Sequence, residues 1–149
     1  MALAAEKGVA PHVHAVNATH KYIVMDKLEE TIVDLMRREY PGKQDKPLTE
    51  AQQDRIIEIC EKLDEAKVIQ NDGNPLNLMV DKGGKLMVID FGFAKKIDKK
   101  VLKKRGPEPN INLTLWHFSR QLRFYHITGP KLEARVDAYM ANMKKLKSK

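Results

Sequence analysis

Cys60 is the only cysteine among 149 residues. A single thiol excludes an intrachain disulfide and a cysteine-based zinc site, and it fits a reducing compartment. Long apolar runs are missing as well. No segment approaches the roughly 18 consecutive apolar residues of a membrane span. The opening MALAAEKGVAP is interrupted by Glu6 and Lys7 before a signal-peptide core can form, so an intracellular protein without a signal peptide is expected. Asn17 and Asn112 each begin an Asn-x-Thr triplet, which without a secretory signal is read as chance. Internal repeats and low-complexity tracts are absent too.

What is present fits one soluble globular domain with a real core: 42% hydrophobic and 32% charged residues. The formal net charge of +7 points to an acidic partner without saying which. Residues 1–8 read as the last turns of a helix, stopped by Gly8 and Pro11. His12 to Val16 and Lys21 to Met25 read as a hairpin about the turn Asn17 to His20. Leu28 to Tyr40 has helical spacing at Ile32, Leu35 and Met36, and Pro41-Gly42 ends it. Lys43 to Pro47 reads as a polar loop. Thr49, with Gln52 three residues on, opens a capping-box helix that buries Ile56, Ile59, Cys60, Leu63 and Ala66. Leu78–Val80 and Lys85–Ile89 read as a hairpin about Asp81 to Gly84. A helix over about 111–126 buries Leu115, Phe118, Leu122 and Tyr125. Gly129-Pro130 breaks it, and a last helix turns Leu132, Val136, Tyr139 and Met143 inward.

The most informative stretch is Gln70 to Ile97, QNDGNPLNLMVDKGGKLMVIDFGFAKKI. Asp72-x-x-Pro75-x-Asn77 is followed, 18 residues after Asp72, by Asp90-Phe91-Gly92. Two carboxylates and an amide around a short hairpin form a set of hard oxygen ligands suited to Mg²⁺, with one acid left to orient a hydroxyl. A plainer explanation makes Asp72 a helix-exit cap and 81–84 a mere turn. It accounts for the turn but not for the joint placement of three ligand-type residues.

This segment resembles the catalytic and metal-binding loops of the eukaryotic-type protein kinase family. The resemblance implies an α+β protein-kinase-like fold, with a mostly helical large lobe, short β-hairpins and a reduced small lobe. It implies one truncated domain over 1–149, with 1–28 the remnant of the small lobe and hinge and 29–149 the large lobe. It implies ATP and Mg²⁺ as cofactors. Asp72 would be the catalytic acid that accepts or orients the hydroxyl proton, and Asn77 and Asp90 would hold the metal. Phe91 and Gly92 would shape the turn, with Gly92 taking a conformation closed to other residues. Tyr22 to Leu28 looks like the last small-lobe strand entering the hinge. Met25 would then back the adenine pocket, the Asp26 carbonyl and Leu28 amide would bond adenine, and Met79 and Ile89 would floor the pocket.

Half of the family's equipment is missing. No G-x-G-x-x-G phosphate loop occurs, and neither Lys7 nor Lys21 stands in the context of the phosphate-gripping strand lysine. Glu6 is too close to the following strand for that lysine's usual partner. Gln70-Asn71 replace the family's His-Arg, and Asn74 replaces its catalytic-loop lysine, which predicts slow chemistry. Between Asp90 and Leu113 there is no Ser, Thr or Tyr. With Asn71 in place of the phosphate-binding arginine, both halves of the usual phosphorylation switch are gone, which predicts regulation by a partner or none.

Lys95 to Arg105 holds seven basic residues and one acid. It reads first as a solvated loop, second as a dock for an acidic protein partner or substrate, and third as a contact for nucleic acid or anionic lipid. The lack of aromatics within it argues against single-strand stacking. His12 and His14 share a strand face and read as ordinary strand histidines, because no third metal ligand is evident. The leading function is Mg-ATP-dependent phosphotransfer to Ser or Thr of a protein. The main alternative is a weak or inactive pseudokinase that scaffolds a nucleotide or a partner. A related reading makes the chain a fragment, or one that works with a separately encoded small lobe. A small-molecule kinase ranks below both.

Overall fold

Helix formation is clearest at Thr49. Its hydroxyl accepts the Gln52 N–H at 3.1 Å, and the Gln52 side chain accepts the Thr49 N–H at 2.8 Å, so the expected capping box is complete. The computed structural model of the chain describes residues 2–148. In chain order the elements are α1 (Ala2–Glu6), β1 (Val13–Asn17), β2 (Tyr22–Met25), β3 (Glu30–Thr31) and α2 (Ile32–Glu39). Then follow β4 (Lys46–Pro47), α3 (Glu50–Glu65), β5 (Val68–Ile69), β6 (Leu78–Val80), β7 (Leu86–Val88), β8 (Lys95–Lys96) and α4 (Lys99–Arg105). A composite helix leads from Asn110 through α5 (Trp116–Gln121) to Tyr125, before β9 (Ile127–Thr128) and α6 (Pro130–Lys147).

The core forms where α3, the composite helix and α6 meet. Ile56, Ile59, Cys60 and Leu63 from α3 pack with Ile111, Leu115, Phe118 and Leu122, and with Leu132, Val136 and Tyr139 from α6. Fully burying each large apolar side chain is worth about 1.5–3 kcal/mol, so this three-helix seam outweighs any polar contact in the molecule. The seam is the platform for the irregular sheets. β3, β6 and β7 form an antiparallel sheet with Leu78 opposite Val88 and Val80 opposite Leu86. Val9 extends this layer by accepting the Val88 N–H at 2.9 Å, and Arg55 clamps it from α3 through the Leu86 and Gly8 carbonyls.

Several elements differ from the sequence expectation, each for a local reason. The helix expected from Leu28 begins only at Ile32. Thr31 caps it by accepting the Asp34 N–H, while Glu30 and Thr31 pair with Val80 and Met79. The supposed polar loop contains β4, which runs parallel to β9. The basic run is not a loop: Lys95–Lys96 pair with β5, and Asp98 caps α4 by accepting the Val101 N–H at 2.9 Å. The helix expected over 111–126 changes winding along its length. It starts as a wide π-type helix (Asn110–Leu115), is regular over α5, tightens to 3₁₀ over Leu122–Tyr125, and ends at His126 with φ 57°. Ala66 and Tyr125, expected inside, are only half-buried. The hairpin β1–β2 forms as expected, but most of its residues are exposed, with Ile23 54% and Val16 69% accessible.

Candidate active site

Gln70 organises the candidate site. Its side chain is fully buried. Its Nε2 donates to the Asp90 carbonyl at 2.8 Å and the Ile89 carbonyl at 3.4 Å, and its Oε1 accepts the Asp72 N–H at 2.6 Å. One amide thus ties the Asp72 loop to the Asp90 loop. A second tie runs from the Ile89 N–H to the Asn77 carbonyl at 2.8 Å. Gln70 occupies the position of the histidine that the sequence resemblance finds missing.

Asn77 Nδ2 donates to Asp72 Oδ2 at 3.0 Å. That bond fixes the amide orientation and leaves Asn77 Oδ1 as a free hard oxygen. Asn77 itself is held by the short turn Pro75–Asn77, which Asn74 caps by accepting the Leu76 N–H. Asp90 is exposed, and its Oδ1 accepts the Gly92 N–H at 3.1 Å. Both loops carry one residue in the left-handed region, Asn71 at φ 64° and Asp90 at φ 61°. Asn and Asp tolerate this conformation best among residues with a side chain, at roughly 1–2 kcal/mol each. The expectation for Gly92 is corrected here, because the left-handed turn residue is Asp90. A Cβ on Gly92 would instead sit 3.2 Å from Asp90 Oδ1.

Beneath Gln70 lies a further buried network. Asn110 Oδ1 accepts both the Gln70 N–H (3.1 Å) and the Thr114 hydroxyl (2.9 Å). Asn110 Nδ2 donates to the Val68 carbonyl and to Asp64 Oδ1, which also accepts the Asn110 N–H. Burial raises the Asp64 carboxyl to about 6, against the Asn110 donors that lower it, and Glu108 adds a smaller push upward. Gly73 seats the Asp72 loop directly on the composite helix. A Cβ there would lie 2.1 Å from His117 Cβ and 2.8 Å from the Thr114 carbonyl oxygen. A cleft of about 480 Å³ opens beside this seat, with Asp72, Asn71, Phe93, His117 and Gln121 in its walls. Burial and Arg105 lower the His117 pKa, against a smaller pull upward from Asp72.

The structure groups Met25, Asp26, Leu28 and Met79 around one open depression of about 500 Å³, together with Ile23 and Lys27. Ile89 does not line it and instead joins the two loops through its backbone. The Asp26 N–H is taken by the His12 carbonyl at 2.9 Å, and its carboxylate meets His14 Nε2 at 2.6 Å. The His12 and His14 rings meet edge to face, and no cluster of three His, Cys, Asp or Glu side chains suited to a metal occurs among the described residues. The set at Asp72, Asn77 and Asp90 differs in kind, being two carboxylates and an amide oxygen. Lys7 lies beside Glu65 at 3.6 Å, Lys21 occupies the left-handed hairpin turn, and neither lines the Asp72 cleft or the depression at Met25.

Sequence reasoning singled out Asp72, Asn77 and Asp90 but missed Gln70, Asn110, Asp64 and Gly73 as the residues that position them. The only available signals were a glutamine and a glycine flanking the Asp72 loop, and an asparagine after Pro109.

The linked loops, the hairpin between them and the helical platform define a kinase-like domain. Residues 4–105 match the ABC1 atypical kinase-like domain, and the chain belongs to that family. The match contains the Asp72 and Asp90 loops and residues 22–28, and it specifies an atypical class for the kinase-like resemblance. The chain is also similar to a protein of Corynebacterium efficiens named as a probable serine/threonine-protein kinase, with 29% identity over 124 residues. That alignment spans 80% of this chain and 17% of the relative, so the chain is much shorter than the curated protein it matches. No helix among the described residues is long and apolar enough to cross a membrane.

Proposed function

We propose that the chain is a Mg-ATP-dependent phosphotransferase of protein-kinase type, acting on a Ser or Thr hydroxyl of a protein. The observation that carries this reading is the Gln70 amide, which joins Asp72 to the Asp90 loop while Asn77 turns its oxygen away from Asp72. In this reading Asp72 orients the acceptor hydroxyl and takes its proton. Asn77 Oδ1 and the Asp90 carboxylate would hold Mg²⁺, which would supply neutralisation of charge on the phosphates. Met25, the Asp26 carbonyl, the Leu28 amide and Met79 would contact adenine; Ile89 lies outside their depression and has no part in it. Residues 1–28 serve as the remnant of a small lobe and hinge, and 29–149 as the large lobe. The exposed apolar face of β1–β2 is then where a small lobe, from this or another chain, would cover the nucleotide.

The scaffold reading is favoured by a separate observation. Neither a phosphate loop nor a strand lysine accompanies the metal-type residues, and Lys7 and Lys21 are placed elsewhere. Thermal melts with ATP, with and without Mg²⁺, separate the two. A ligand at about 100 times its Kd stabilises the folded state by about 2.7 kcal/mol, a rise of roughly 5–10 °C for a domain of this size. The phosphotransferase reading predicts a rise that needs Mg²⁺ and is lost in Asp90→Asn. Unchanged melting at millimolar Mg-ATP favours the scaffold.

A further inference from the structure

We infer that the acceptor of the proposed reaction is a polypeptide with acidic residues beside the phosphorylated hydroxyl, read by a basic pocket that shares a wall with the Asp72 cleft. The inference deepens the phosphotransferase reading and rests on it for the hydroxyl, but not for the recognition of acidic groups.

The pocket has a volume of about 410 Å³ and lies between β5, β8 and α4. Lys95, Lys100, Lys104 and Arg105 stand in its walls against one carboxylate, Asp98, whose Oδ1 accepts the Val101 N–H as the α4 cap. Ile69, Val101 and Leu113 add apolar surface to it. Asn71 lines both this pocket and the cleft that contains Asp72, and its Nδ2 is fixed on the Phe93 carbonyl at 3.3 Å. The two hollows therefore adjoin at Asn71. Arg105 on one side is close enough to act on His117 on the other.

The cations are not explained by the stability of the fold. Among the described residues, every ion pair lies elsewhere in the molecule, and none uses a cation of the run Lys95 to Arg105. Helix α4 buries no residue. Lys99 and Lys100 occupy its first turn, the end where the helix dipole disfavours positive charge. Lys100 and Lys104 are four residues apart on one face, a like-charge spacing that weakens a helix. Lys104 and Arg105 fall in the last turn, where the dipole favours them, so the cost rests on Lys100 and on its like-charge spacing to Lys104. Four cations around one hollow, with no ion-pair partner among the described residues, point to an anionic ligand.

The shape selects a peptide. A single small hollow with apolar walls takes one or two acidic side chains with their methylene stems, whereas a nucleic-acid backbone or membrane surface needs an extended charged stripe. Extended chain advances about 3.3 Å per residue, so an acid within about three positions of the hydroxyl bridges the shared Asn71 wall. Phe93, 65% exposed at the cleft, offers an apolar contact to the same segment.

The test uses the full chain and three fluorescent peptides that share one serine, flanked by Glu, Gln or Lys. Anisotropy should show the Glu peptide binding at least about tenfold tighter than the Gln peptide. That preference should be lost in Lys100→Glu/Lys104→Glu and in the milder Lys100→Gln/Lys104→Gln, and weakened by high salt. Equal binding of the three peptides overturns the inference. So does tighter binding of single-stranded RNA or phosphatidylserine vesicles than of the Glu peptide, when the same charge reversal abolishes it. Transfer from Mg-ATP then separates the two levels of the proposal. Asp72-dependent transfer that ignores flanking charge overturns the inference and leaves the phosphotransferase reading intact. Selective binding of the Glu peptide with no Asp72-dependent transfer overturns the phosphotransferase reading, and with it the acceptor role, while acidic-peptide recognition stands.

Discussion

Asp64 Oδ2 is buried without a hydrogen-bond partner, while Oδ1 of the same carboxyl receives two donors from Asn110. The site is thus supported from below by a group that resists ionisation. Its carboxyl is raised from 3.8 to about 6, chiefly by burial. The folded state therefore binds this proton more tightly than the unfolded chain does. The stabilising contribution is complete below pH 3.8 and is lost as pH rises to about 6, by roughly 3 kcal/mol at most. Asp64→Asn keeps the oxygen that Asn110 needs and removes the titration. Melting temperatures of the two proteins across pH 4–7 should diverge, with the parent losing stability relative to the variant as pH rises. Parallel profiles would show that Asp64 does not titrate in this window. Residues of this kind were invisible in the sequence. Asp72, Asn77 and Asp90 were legible because their chemistry and spacing are local. Asp64 and Asn110 meet across 46 positions, and Gln70 and Asn110 across 40. No pattern of nearby residues announces such a contact.

At the scale of elements, the same contrast separates α3 from the short strands. The α3 capping box and buried stripe were readable because helix signals lie within four residues of one another. β4, β5 and β8 are each two residues long and exist only because a distant partner pairs with them. The composite helix shows how packing bends a correctly expected element. Its wide first turns set the Thr114 carbonyl against Gly73, so the helix and the Asp72 loop touch backbone to backbone. Gly73→Ala should destabilise the chain by about 1–3 kcal/mol or more, because the new methyl meets His117 and a carbonyl that cannot move aside cheaply. Gly83→Ala, whose Cβ would meet only Asp81 Oδ1 at 3.4 Å, should be close to neutral. Urea melts of the pair check this, and equal stability of both variants would show that the loop is not seated on the helix as described.

At the scale of the whole molecule, the charge and the surface fall into distinct regions. The apolar residues of β1–β2 are exposed at one place, and the unpaired cations line the pocket beside the Asp72 cleft. The sequence made both regions visible as composition, an alternating hairpin and a basic run, but not as surfaces. A run of lysines does not disclose that it is helical or that it shares Asn71 with the Asp72 cleft. Membership of the ABC1 atypical kinase-like family is consistent with a domain that retains the kinase-like loops while differing in the residues around them. The central claim is that Asp72 and Asp90 carry phosphoryl transfer from Mg-ATP. Its most direct measurement is incorporation of radiolabelled γ-phosphate into the glutamate-flanked serine peptide by the purified parent chain, Asp72→Asn and Asp90→Asn in parallel. A positioned acid–base group contributes about 10²–10⁴-fold, so Asp72→Asn should lose incorporation by at least about 100-fold relative to the parent. Asp90→Asn, which removes a charged metal ligand, should lose it as well. Equal incorporation by all three proteins, or none by the parent, would contradict the account.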